Sequence, residues 1–239
     1  MMATNNATPK KRPLPCEIFT GDTITVTVGS NARKYQVNKA LTMYCSGNFL
    51  GVLESVKTEE GKANTVELLD IESYTFEAFA DWMYTQRLTP CGNWRARFAL
   101  PTAITSHKAC VLLYIFAHRF QVPNLKEAVK KELLKVLTPN GACHDATTVA
   151  FQKLPEDNPV LDMLVDAHCQ YWKPGADFST SCKKLEEVPA EFLRRVVCKY
   201  ASAIDDDNFY LVPSKYQELD LEVAEDKKEP PAKKLRIKQ

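Results

Sequence analysis

Leu112-Leu113-Tyr114-Ile115-Phe116-Ala117-His118-Arg119-Phe120-Gln121-Val122-Pro123-Asn124-Leu125 is the stretch that decides the fold. Upstream of Gln121 it is apolar on nearly every side, and Ala109 and Val111 extend that character, so no broad polar face is left for solvent. The spacing predicts a helix over 107–120, buried on several sides and central to the molecule. Pro123 breaks it, because proline lacks the N–H a helix needs and pushes the residue before it away from helical backbone. Leu125, Ala128, Val129, Leu133, Val136 and Leu137 then make one clean apolar stripe, with Glu127 and Lys131 four residues apart on the outside.

Toward the N-terminus, Thr23–Val28 alternates strictly, with Ile24, Val26 and Val28 on one face and threonines on the other. That is a half-buried strand. Gly29-Ser30-Asn31 supplies turn chemistry, and residues 33–37 alternate again to close a β-hairpin. Asn38 is placed to cap a helix carrying Ala40, Leu41 and Tyr44, and a second short helix is expected over 48–55. Residues 56–64 are charged, contain Gly61 and are expected to form an exposed loop. Thr65–Leu69 is a short strand, and Ser73 is the expected cap of a helix with Phe76, Phe79, Ala80 and Met83 at helical spacing. The stretch 86–106, with Pro90, Gly92 and Pro101, is expected to be irregular, with Trp94 and Arg95 exposed.

Toward the C-terminus, Thr138-Pro139-Asn140-Gly141 is the strongest interior punctuation, and the first structural unit is expected to end there. The rest to residue 212 is expected to be all-helical, with helices starting near Asp145, at Asn158-Pro159 and at Pro189. Residues 1–16 form a basic arm and 213–239 a charged tail, acidic from Glu218 to Asp226 and then basic; neither has hydrophobic periodicity, and both are expected to be disordered.

The composition excludes several classes of function. The 31 Lys and Arg residues against 30 Asp and Glu give a net charge of +1, so no whole-molecule field attracts nucleic acid or an anionic membrane. Only 8 of 239 residues are Gly, about half an average share, and no phosphate-cradling glycine loop, nucleophile elbow or HExxH helix occurs. No apolar run is long enough to span a membrane, and the first residues lack a signal peptide's apolar stretch, which predicts an intracellular protein. In that setting the eight cysteines are expected to be free thiols. No CxxC occurs, and the adjacent pairs Cys143-His144 and His168-Cys169 point apart on any regular element, so no metal site is expected. His107 and Cys110 sit three apart on one helix, but an apolar helix buries its cysteine as a small hydrophobe; no catalytic residue and no cofactor is expected. His168, on an apolar stripe, is expected to be a satisfied core histidine.

The order of elements now meets specific residues. Val37-Asn38-Lys39-Ala40-Leu41 resembles the V-H-K-A-L of the BTB (POZ) domain family, and Ser46-Gly47-Asn48-Phe49 its S-P-x-F. Val66-Glu67-Leu68 with Asp70-Ile71 is similar to the family's V-x-L-x-D-V, and Tyr84-Thr85 stands where it has Y-T-G. The stretch quoted first resembles L-x-x-A-D-K-Y-x-[IV]-P-x-L. Asn38 replaces the usual His and Gln86 the usual Gly, residues 86–106 are longer than the family's loop, and the family's N-terminal helix has no clear counterpart before Cys16. The resemblance implies an α+β fold, a small β-sheet flanked by helices over residues 17–137, with an all-helical extension over 138–212 of the sort seen in fungal members.

The resemblance also implies protein partners rather than catalysis: a cullin ubiquitin-ligase scaffold for a substrate adaptor, or else a second copy of the chain or a nuclear regulator with no role in ubiquitination; the composition adds no membrane or specific nucleic acid to them. The family's cullin-contact signature, an apolar residue, any residue and Glu, aligns with Thr58-Glu59-Glu60. Glu60 fits; Thr58 lacks apolar bulk, a loss of about 1–2 kcal/mol of burial. Tyr84 falls near the same surface in the family. Two basic clusters, Lys10-Lys11-Arg12 and Lys233-Lys234-Leu235-Arg236, look like short nuclear-import signals, so a nuclear or cytoplasmic location is expected.

Overall fold

The computed structural model describes residues 11–46, 49, 65–172 and 185–203, and structural statements below refer to these residues. The chain enters through α1 (Pro15–Thr20), then β1 (Thr23–Val28), β2 (Arg33–Asn38), α2 (Lys39–Cys45), β3 (Thr65–Leu68) and α3 (Ser73–Thr85). A 3₁₀ turn (Cys91–Asn93) and α4 (Trp94–Arg97) lead to α5 (Ser106–Arg119), α6 (Pro123–Asn140), α7 (His144–Lys153), α8 (Pro159–Tyr171) and α9 (Ala190–Ala203).

β1 is the middle strand, antiparallel to β2 with Val26 opposite Tyr35, and parallel to β3 with Val26 opposite Val66. The alternation read in the sequence holds: Ile24, Val26 and Val28 are fully buried. Helix α5 crosses this assembly as the expected central helix, its first turn held by Thr105, whose side chain accepts from the Lys108 N–H. Phe116 is its anchor, with ring centroids 4.8 Å from Phe79 and 4.5 Å from Phe120, while Phe76 stands edge-on at 6.5 Å. Rings at these separations and tilts gain attraction beyond simple burial.

Several expectations change. Ser73 is the first helical residue of α3 rather than its cap, a position taken by Glu72, which makes no side-chain capping bond. The stretch 86–106 is not simply irregular, and Trp94 is fully buried; its Nε1–H donates to the Thr89 carbonyl at 2.6 Å and its ring meets Phe98 edge-on. Arg95 is exposed as expected. α6 ends inside the expected Thr138–Gly141 punctuation: it runs through Pro139 to Asn140 and is capped by Gly141, whose φ of +72° suits glycine and whose missing Cβ leaves room for Tyr171. The basic arm is placed from Lys11 on, and α1 begins at Pro15, before the point where the arm was expected to end. The expected helix over 48–55, the loop 56–64 and the tail 213–239 lie outside the described residues.

The core does not stop where the BTB-like residues do. Ala146, Ala150, Val160, Leu161, Met163, Leu164 and Ala167, from α7 and α8, join the same buried cluster as Val26 and Phe116. Asn158 caps α8 by accepting from the Val160 N–H, as its position before Pro159 suggested. α9 is different: Phe192 and Val196 meet Val165 and Val188 in a small separate cluster.

Candidate interaction surface

Of the residues singled out for partner contact, Thr58, Glu59 and Glu60 lie outside the described residues, as do Lys10, Lys233, Lys234 and Arg236. Tyr84, Lys11 and Arg12 are described, and two of them meet. Tyr84 stands at the end of α3 and is 43% exposed. Its hydroxyl accepts from the Asn38 N–H at 3.1 Å and its carbonyl accepts from Arg12 Nη2 at 2.9 Å. The hydroxyl is thus engaged in holding the fold.

Asn38 organises this corner, and the sequence read it only as a helix cap. Its Oδ1 accepts from the Leu41 N–H at 2.8 Å, opening α2, while Nδ2 donates to the Ile18 carbonyl at 2.9 Å, tying α1 down. α1 itself starts at Pro15, with the Leu14 N–H donating to Glu17 Oε2 at 2.7 Å, and stops at Gly21, where any Cβ would come within 2.6 Å of the Glu17 carbonyl. Ile18 turns inward against the core. Phe19, the next residue, is 87% exposed, and Leu14 beside the helix is 49% exposed. Phe19 and Leu14 thus put two large apolar side chains in solvent on an anchored helix. Six residues are too few to show periodicity, so neither α1 nor Phe19 was legible in the sequence.

A cleft of about 720 Å³ adjoins this corner, between the end of α2, the end of α3 and the elbow before α6, lined by Tyr44, Cys45, Trp82, Gln86 and Lys126 among others. Gln86 takes the left-handed conformation at φ +55° that a glycine adopts without strain, and Nε2 donates to the Met83 carbonyl at 3.0 Å in partial return. Burial pushes the Cys45 thiol up to about 11, so it stays protonated and unreactive at neutral pH.

The residues weighed for catalysis and metal binding fall elsewhere. Cys110 is fully buried, its thiol raised well above its ordinary range by a hydrogen bond with Cys91 and by burial, and His107 turns its Nε2 toward the Val136 carbonyl at 3.3 Å. Among the described residues the cysteines are free thiols, and no group of three or more His, Cys, Asp or Glu could hold a metal ion. His144 and His168 do approach, with ring centroids 6.1 Å apart. His168 stacks on Trp172 at 5.1 Å and meets Phe192 edge-on, and burial lowers it to about 4, so it is neutral; its buried Nδ1 has no hydrogen-bond partner among the described residues, which departs from the satisfied histidine expected. No described helix is long and apolar enough to cross a membrane.

No curated protein matches the chain. A family model does: that of the BTB/POZ domain, over residues 18–137, half of the chain. Those bounds take in the sheet, Asn38, Tyr84, α5 and α6 as far as Leu137, and they agree with the motifs in the sequence. The chain belongs to the BTB/POZ domain family, and its fold serves protein–protein interaction.

Proposed function

We propose that the protein works by associating with a second copy of itself through the face carrying Phe19 and Leu14. The observation that supports this reading is the 87% exposure of Phe19 on a helix whose other side is anchored by Ile18 and Asn38. Burying that ring against a partner copy would gain about 2 kcal/mol per subunit from area alone, before any neighbour contributes. Because two copies present the same patch, the contact is self-complementary and closes as a dimer. Sedimentation equilibrium of the full chain across micromolar concentrations tests it: a monomer–dimer equilibrium is expected, with Phe19→Glu monomeric throughout and unchanged in its circular dichroism. A wild-type chain that is monomeric across the range would contradict the reading.

A second reading is an adaptor for a cullin ubiquitin-ligase scaffold. Glu60, which fits the family's contact signature, and the exposed Tyr84 beside a roomy cleft support it. Calorimetric titration with the N-terminal region of a BTB-binding cullin should then show micromolar or tighter binding, about −8 kcal/mol, weakened by Glu60→Lys. The basic clusters support nuclear import, with the C-terminal one as the main signal, since Arg12 of the other is engaged with Tyr84. Loss of nuclear accumulation on changing Lys233, Lys234 and Arg236 to Ala is the outcome expected.

A further inference from the structure

We propose that the acidic segment Glu218–Asp226 of this same chain lies in a groove between α3, α5 and α7, and so covers an interaction surface of its own domain. The groove encloses about 420 Å³ and is lined by the first turn of α3, the outer face of α5 and the side of α7. Its floor is half-exposed and apolar, built from Ile104, Leu112, Ile115 and Val149. Lys108 and Arg119 of α5 and Lys153 of α7 stand around it, against Asp70 and Glu72. Asp70 is already engaged with Arg119, which leaves two lysines and one carboxylate to meet an incoming chain.

A second observation points to a ligand. Thr75, on the first turn of α3, lines the groove; it is 2% exposed, and its Oγ1 is buried with no hydrogen-bond partner among the described residues. A buried hydroxyl left unpaired is costly, and a rotation of the Thr75 side chain toward the groove would let the carbonyl of an extended chain satisfy it.

The occupant is argued from charge, pattern and reach. Glu218-Leu219-Asp220-Leu221-Glu222-Val223 alternates acid with aliphatic, so an extended backbone sends Leu219, Leu221 and Val223 to one side and the carboxylates to the other. That matches an apolar floor edged by lysines. α9 ends at Ala203, and the residues between it and Leu219 can stretch to roughly 50 Å, more than the breadth of a domain of this size. Tethering by such a length supplies a local concentration near millimolar, which no free acidic peptide matches at cellular levels. The inference does not depend on the Phe19 face.

Zero-length carbodiimide coupling of the full chain, followed by peptide mass spectrometry on a mixture of light and heavy isotope-labelled protein, tests it. Amide links joining Lys108 or Lys153 to Glu218, Asp220 or Glu222 within single chains are expected. The triple variant Leu219→Ser, Leu221→Ser and Val223→Ser keeps every amine and carboxylate, and should lower those links at least tenfold; raising the salt to about 0.5 M should lower them severalfold. Links absent, spread evenly over remote lysines such as Lys34, Lys126 and Lys131, insensitive to the triple variant, or formed only between chains would overturn the proposal.

Discussion

The body of the molecule and its last described helix are held by different means. From β1 to α8 one apolar cluster runs through the molecule, and at its centre the rings of Phe76, Phe79, Phe116 and Phe120 pack on one another. α9 touches that body through a few residues and a fringe of charges: Arg195 meets Asp162 at 3.0 Å and donates to the Glu156 carbonyl at 2.7 Å, and Lys199 engages the buried Asp166. Ion pairs exposed at a surface contribute little each, while apolar burial scales with area. The body should therefore unfold as one unit and α9 should be separable from it.

The largest effect should come from the centre. Phe116→Ala empties a site packed by three other phenylalanines and is expected to destabilise the whole protein by about 4 kcal/mol. Urea unfolding followed by circular dichroism measures it, and a single shifted transition is the signature of one cooperative body. Phe192→Ala removes the fully buried ring that α9 sets against Phe151 and His168. A comparable loss of about 3 kcal/mol is expected there, but local: amide exchange in α9 should accelerate by orders of magnitude while α5 stays protected. A uniform rise in exchange across both helices would merge the two regions.

Acid should sharpen the same contrast. His168 titrates near 4 in the folded protein and near 6.5 when unfolded, so the unfolded chain takes up the proton first. The stability this neutral histidine contributes is complete above pH 6.5 and is lost as pH falls from 6.5 through 4, about 2 kcal/mol by pH 5. Because its ring lies against Phe192 and Trp172, α9 should loosen first, and His168→Phe should remove the pH dependence of α9 exchange.

The smallest effect concerns Gln86. Gln86→Gly relieves a left-handed backbone worth about 1 kcal/mol and forfeits a side-chain bond of similar size, so the midpoint of thermal unfolding should move by only a few degrees.

How far the sequence revealed this differs by region. Strict alternation exposed β1, and the side chains of Asn38 and Asn158 announced α2 and α8, because caps and period-two patterns are local. Trp94 misled, since prolines and a glycine around it imitate a surface loop while its burial depends on distant helices. Pro139 did not end α6; the left-handed Gly141 did. Glu72 displaced Ser73 as the cap by a single residue. Of the candidate site, Tyr84 was found by family likeness, whereas Arg12 and Asn38 meet it only in three dimensions.

Hydrogen–deuterium exchange of the full chain, at protein concentrations well above and well below the dimerisation midpoint, tests the proposed self-association most directly. Protection that grows with concentration at α1, around Leu14 to Thr20, and is absent in Phe19→Glu is the result the account predicts. Exchange at α1 that is the same at every concentration, or concentration-dependent protection confined to the exposed Val197 and Tyr200 of α9, would contradict it.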